Sequence, residues 1–128
     1  MKVIRNVMLA AIGCFVCSAA LADALAGYWK HAEEPAWIEI RFENGAGTGT
    51  VRRNDNKPEA VGRVLLKELV NDEGDASSWS GQIYAERFKE YKDAAITLTD
   101  PDHMQIRVKV GFMSRTVDWT RAPTLPAD

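Results

Sequence analysis

Few side chains in this 128-residue chain have the type and spacing to do chemistry. Its two histidines are His31 and His103. Glu33 and Glu34 follow His31 closely enough to sketch a metal site. Sequence neighbours on an extended strand point to opposite faces, however, and no second His or Cys stands at ligand spacing. His103 adjoins an Asp100-Pro101-Asp102 turn, where solvation is the ordinary role. Nucleophilic catalysis needs a Ser or Cys held by a His, and Ser77, Ser78, Ser80 and Ser114 lie in no nucleophile-elbow pattern. The paired carboxylates, Asp72 with Glu73 and Asp100 with Asp102, fall in loops. Gly45-Ala46-Gly47-Thr48-Gly49-Thr50 is glycine-rich, but its spacing is not Gly-x-Gly-x-x-Gly. No Lys follows it, and no helix starts there to aim amides at a phosphate. The expectation is therefore no catalytic residue, no metal, no cofactor and no enzyme.

Binding is better served. Tyr84, Arg87, Phe88 and Tyr91 combine aromatic area with a cation and form the candidate ligand-binding cluster, expected at the rim of the domain. Trp37 shares a strand face with Glu39 and Arg41, so it is expected to point outward and is the candidate protein-contact residue.

The elements that must carry these residues repeat with period two, the strand signal. In Ala36 to Glu43, Ile38, Ile40 and Phe42 face one way. Asn44-Gly45 then suits a tight hairpin, since both residues tolerate positive φ. A Thr- and Gly-rich return strand follows at about Gly47 to Arg53, and a polar loop from Asn54 to Glu59 leads into Val61 to Val70. Alternation recurs at Trp79 to Tyr84, Ile96 to Thr99, Met104 to Val110 and Thr116 to Thr120. Counting Gly27 to His31 gives eight strands. Such a meander of short connections closes into a barrel and so removes its exposed edges. Between Tyr84 and Lys92 the apolar spacing i, i+4, i+7 also fits two helical turns; a polar hairpin is preferred because it keeps strand pairing continuous. The inward set, which includes Val64, Leu66, Trp79, Val108, Val110, Val117 and Trp119, is bulky and is expected to fill most of the interior.

The N-terminus reads as a leader over residues 1–22. Lys2 and Arg5 precede an apolar run from Val7 to about Ala19, which ends in Ala20-Leu21-Ala22, a small-x-small cleavage pattern. About 13 residues is too short to cross a roughly 30 Å hydrocarbon core. Lipidation at Cys14 is the alternative. Cleavage would remove Cys14 and Cys17, the only cysteines, and would leave 14 of the 16 basic residues against 18 acidic ones, a net charge of −4. That balance argues against nucleic acid or an anionic membrane as the main partner. The expected organisation is a barrel domain at 23–122 and a disordered tail at 123–128, in a periplasmic or secreted protein with no integral membrane segment after cleavage.

Gly27-Tyr28-Trp29, opening the first strand, and Trp119-Thr120-Arg121, ending the last, resemble the calycin (lipocalin-like) pattern. In that group a Gly-x-Trp motif is crossed by a late Arg. The resemblance implies that Arg121 stacks on Trp29 and plugs one barrel end, and that Gly27, Trp29, Trp79, Trp119 and Arg121 are structural. Trp79-Ser80-Gly81-Gln82-Ile83-Tyr84, with the stretch from Ile106 to Arg121, also resembles an uncharacterised family of short secreted bacterial proteins. The reading that follows is an all-β, up-and-down, lipocalin-like barrel acting as an exported, non-enzymatic binding module of the cell envelope. Its partner is either a small apolar molecule at the barrel mouth or an envelope protein, in an inhibitor or immunity-type interaction through the outer surface.

Overall fold

The computed structural model describes residues 24–127. The expected leader, its cleavage site and Cys14 lie outside them. Eight antiparallel strands follow in chain order: β1 (Gly27–His31), β2 (Ala36–Glu43), β3 (Ala46–Asn54), β4 (Val64–Asn71), β5 (Ser78–Ala85), β6 (Glu90–Asp100), β7 (His103–Val110) and β8 (Met113–Ala122). Each pairs with its sequence neighbour, and β1 pairs with β8 to close the barrel. A single 3-10 turn, Pro58–Ala60, interrupts the β3–β4 connection.

Local sequence explains most of these elements. Asn44 (φ 53°) and Gly45 (φ 82°) make the β2–β3 turn in the left-handed conformations that match strand twist. The 84–92 segment is a hairpin, with Tyr84 opposite Tyr91 and Ala85 opposite Glu90. Its turn is closed by the Phe88 amide on the Ala85 carbonyl and the Lys89 amide on that of Glu86. The helical spacing of Tyr84, Phe88 and Tyr91 loses to strand pairing on both sides.

β4 departs from simple alternation. Leu66 and Leu69 are both fully buried, three residues apart, because Glu68 takes a positive φ of 56° and the register with β5 slips there. A second slip, against β3, lies between Leu66 and Val64. Leu65, rather than Val64, therefore packs on the core. Val110, also expected inside, lies outside the core cluster near the end of its strand.

The largest interior side chains crowd one end. Trp29, Trp79 and Leu25 are fully buried, and the Trp29 indole N–H donates to the Leu25 carbonyl at 3.0 Å. Arg121 caps this end, with its guanidinium carbon 4.3 Å from the Trp29 ring centroid. It donates to the carbonyls of Ala26 (2.8 Å), Ala24 (2.6 Å) and Pro101 (2.9 Å). A side chain on Gly27 would meet Arg121 Nη1 at 2.9 Å, so the motif glycine is where the guanidinium crosses the strand. Residues 123–127 carry no helix or strand, and the Pro126 carbonyl accepts from Arg53 Nη1 at 2.9 Å.

Candidate ligand-binding site

In an up-and-down barrel alternate connections share an end. The β1–β2, β3–β4, β5–β6 and β7–β8 connections therefore all lie opposite the Arg121 plug. Within that half is a cavity of about 300 Å3 that reaches solvent between the first three of them. Its wall is apolar: Ile38, Val51, Leu65, Ile83, Ile106, Val108 and Val117, with Trp119 towards the plug. The expectation of a filled interior fails here. Side-chain volume is unevenly placed, with Leu25, Trp29, Leu69 and Trp79 fully buried towards the plugged end and Ala36, Val51, Ala60, Val108 and Val117 among the residues around the cavity. Small and β-branched side chains cannot reach across the barrel. At roughly 30 Å3 per water, the space equals about ten water volumes.

Polar side chains stand only at the rim; no polar or charged residue among those described is buried. His31 ends β1 with its ring edge-on to Trp119, at a 5.0 Å centroid distance. Its Nδ1 accepts the backbone amides of Glu33 (3.0 Å) and Glu34 (3.1 Å), so the ring proton of the neutral form is on Nε2. The nearest carboxylate oxygen, on Glu34, is 3.7 Å from Nε2, beyond hydrogen-bonding distance. On the β3–β4 connection, Asn54 Oδ1 accepts the amides of Asn56 and Lys57, holding this loop over the opening. Lys57 reaches across to Glu86 of the β5–β6 turn at 2.9 Å, and Arg63 lies 3.8 Å from the same oxygen. The hydrogen bond and charge of Glu86 raise the Lys57 pKa, and those of Lys57 lower that of Glu86. Both side chains remain about half exposed, so the pair is a solvent-screened latch rather than a buried ion pair.

Of the aromatic cluster expected at the rim, Tyr84 and Tyr91 stand on the outer wall, while Arg87 and Phe88 lie in the β5–β6 turn. Tyr84 and Tyr91 meet edge to face at 5.4 Å, and Tyr91 donates to the Val64 carbonyl at 2.8 Å. Lys67 covers Tyr91 at 4.0 Å, while Arg87 and Lys92 flank the half-exposed Phe88. None of Tyr84, Arg87, Phe88 and Tyr91 lines the cavity. Tyr84 follows inward Ile83 on the strand and so faces out, Tyr91 pairs with it on the same face, and Arg87 and Phe88 lie in the turn between the two strands. Arg63 joins the two regions, lying 5.2 Å over Tyr84 while also lining the opening.

Trp37 faces outward but keeps only 9% of its exposure, since Lys30 (5.5 Å) and Arg53 (5.4 Å) cover its ring. The expected exposed aromatic is thus absent at that position. Among the described residues the exposed large apolar side chains are instead Phe112 and Met113, at the tip of the β7–β8 hairpin, with Val61, Val70 and Phe88 elsewhere.

The remaining chemical candidates are scattered. His103 pairs with Asp100 at 2.8 Å beside the plugged end. Ser77 and Ser78 bond Asp75, Ser80 bonds Asp72, and Ser114 accepts from Arg107. Among the described residues no three His, Cys, Asp or Glu side chains converge as a metal site. None of their helices is long and apolar enough to cross a membrane. Sequence reasoning missed His31, Asn54, Lys57, Arg63 and Glu86 as a group. The available signal was topological: alternate connections of a meander meet at one end, whatever their separation in sequence.

An eight-stranded, closed, antiparallel barrel with an Arg-on-Trp plug at one end and an open apolar cavity at the other defines a lipocalin-like (calycin) fold. A comparison with solved structures agrees. The chain is similar to a structure described as protein HP1028 from the human pathogen Helicobacter pylori, which belongs to the lipocalin family. The TM-score is 0.61 at 17% sequence identity, over 77% of this chain and 82% of that one. No protein-family model matches the sequence.

Proposed function

We propose that this protein is an exported, non-enzymatic binding module that holds a small, mainly apolar molecule in the open half of its barrel. The observation that carries this reading is the 300 Å3 apolar cavity, open to solvent and bordered by a few polar groups, which is the general form of small-molecule sites. The lipocalin-like fold is consistent with binding rather than catalysis. Export, to the periplasm or beyond, rests on the leader pattern of residues 1–22.

Native mass spectrometry of the protein recovered from its own cells tests the proposal. A reproducible extra mass of a few hundred daltons, lost on denaturation and absent from Val117→Trp, is the expected result. Val117 lines the cavity, and an indole there occupies the space without adding charge. An extra mass that persists in Val117→Trp would place the ligand elsewhere, and a bare chain would count against a carried molecule.

A second reading has one observation in its favour. Phe112 is fully exposed and Met113 two-thirds exposed, an apolar hairpin tip suited to contact with another protein. Retention of a second protein in the same spectrum would support it.

A further inference from the structure

We propose that the ligand is an anionic amphiphile, with its apolar chain inside the barrel and its acidic head held at the rim by Lys57 and Arg63. This rests on reading the cavity as a ligand site. The wall is aliphatic side chains and the Trp119 ring and offers no charged partner, so the apolar part of a ligand belongs there. The rim, by contrast, is rich in donors. Lys57 and Arg63 converge on it, and His31 presents its Nε2–H with no acceptor within 3.5 Å among those described. Asn54 has committed its oxygen to two backbone amides, which leaves the amide N–H2 for other partners.

One carboxylate already occupies the position these donors favour. Glu86 accepts from Lys57 at 2.9 Å and lies 3.8 Å from Arg63, so both cations turn to this carboxylate, while Glu34, the other carboxylate lining the opening, lies beside His31 at 3.7 Å. Glu86 therefore stands where the acidic head of a ligand would stand. It sits on a four-residue turn with a half-exposed side chain, free to swing into water when displaced. A carboxylate or phosphate head would keep the charge-assisted bonds of both cations. A neutral head would displace that ion pair without replacing it, and a cationic head would meet Lys57 and Arg63 directly.

The test compares decanoate, decanol and decyltrimethylammonium, each below its aggregation threshold, by calorimetric titration of the full chain at low salt. Heat that survives in Val117→Trp defines binding outside the cavity and is subtracted. Decanoate is expected to bind about tenfold or more tighter than decanol, with the cation weakest. The double variant Lys57→Met/Arg63→Met should bring decanoate down to the level of decanol, and Glu86→Gln should tighten decanoate by removing its competitor. All three residues are exposed enough for these variants to fold. Equal, Val117→Trp-sensitive binding of decanoate and decanol would overturn the head-group assignment and leave the apolar cavity standing, as would preference for the cation. Absence of any Val117→Trp-sensitive binding would overturn both.

Discussion

At the plugged end, the Arg121 guanidinium donates to three carbonyls, on Ala24, Ala26 and Pro101, while lying 4.3 Å over Trp29. Each charged hydrogen bond contributes on the order of 1.5–3 kcal/mol, and the cation over the indole about 0.5–2. These do not add fully, but Arg121→Met should cost about 3 kcal/mol or more in urea unfolding. Arg121→Lys, with a point charge in place of a planar fork, should recover less than half of the loss. An unchanged midpoint in Arg121→Met would show that the plug does not stabilise the barrel. Nearby, the hydrogen bond and charge of Asp100 raise the pKa of His103 above its ordinary 6.5, and the same bond lowers that of Asp100 below 3.8. The contribution of His103 is complete below pH 6.5 and fades as pH rises through its raised value. That of Asp100 is complete above 3.8 and fades as pH falls through its lowered one. The β6–β7 turn should thus be tightest between those limits. In a proton-NMR titration the His103 midpoint should lie above 6.5 and fall in Asp100→Asn; equal midpoints would sink the pairing.

Elements add constraints that single side chains do not reveal. In β4 the bulge at Glu68 turns both Leu66 and Leu69 inward, and the neighbouring strand accommodates it with a glycine. A Cβ on Gly81 would stand 2.6 Å from Leu69 Cδ2 and 2.8 Å from the Lys67 carbonyl oxygen. Gly81→Ala should therefore destabilise by about 1–3 kcal/mol through overpacking. Glu68→Gly should be neutral to slightly stabilising, since relief of the left-handed strain offsets the greater chain entropy of glycine. Chemical denaturation of the two variants checks both signs, and a harmless Gly81→Ala would mean the strands separate easily there. At this scale much was legible in advance. Alternation, together with the loop and turn residues between the runs, located the eight strands, and Asn44-Gly45 located its turn. The β4 bulge was not legible, because whether a residue is inserted into a ladder depends on the strand opposite. Trp37 shows the same limit: parity placed it outward, but Lys30 and Arg53, from adjacent strands, cover it.

For the molecule as a whole, the two barrel ends do different work. One is packed with Trp29, Trp79 and Leu25 and sealed by Arg121; the other is left open above small side chains. This division lets the lower half supply stability while the upper half remains available to a ligand. Val117→Trp should accordingly abolish cavity binding with little loss of stability, since the added ring enters existing space. What the amino-acid sequence determined by itself was the period-two pattern, the turns and the Gly-x-Trp and Trp-x-Arg ends, and so the barrel. These follow from the pleat, which sorts neighbouring residues to opposite faces by local geometry. Only the tertiary structure decided that the interior is unfilled and that His31, Lys57, Arg63 and Glu86 share one rim, with Tyr84 and Tyr91 outside it. Empty volume is a small difference between the barrel's girth and the reach of side chains from different strands. That difference exists only once the last strand has closed on the first.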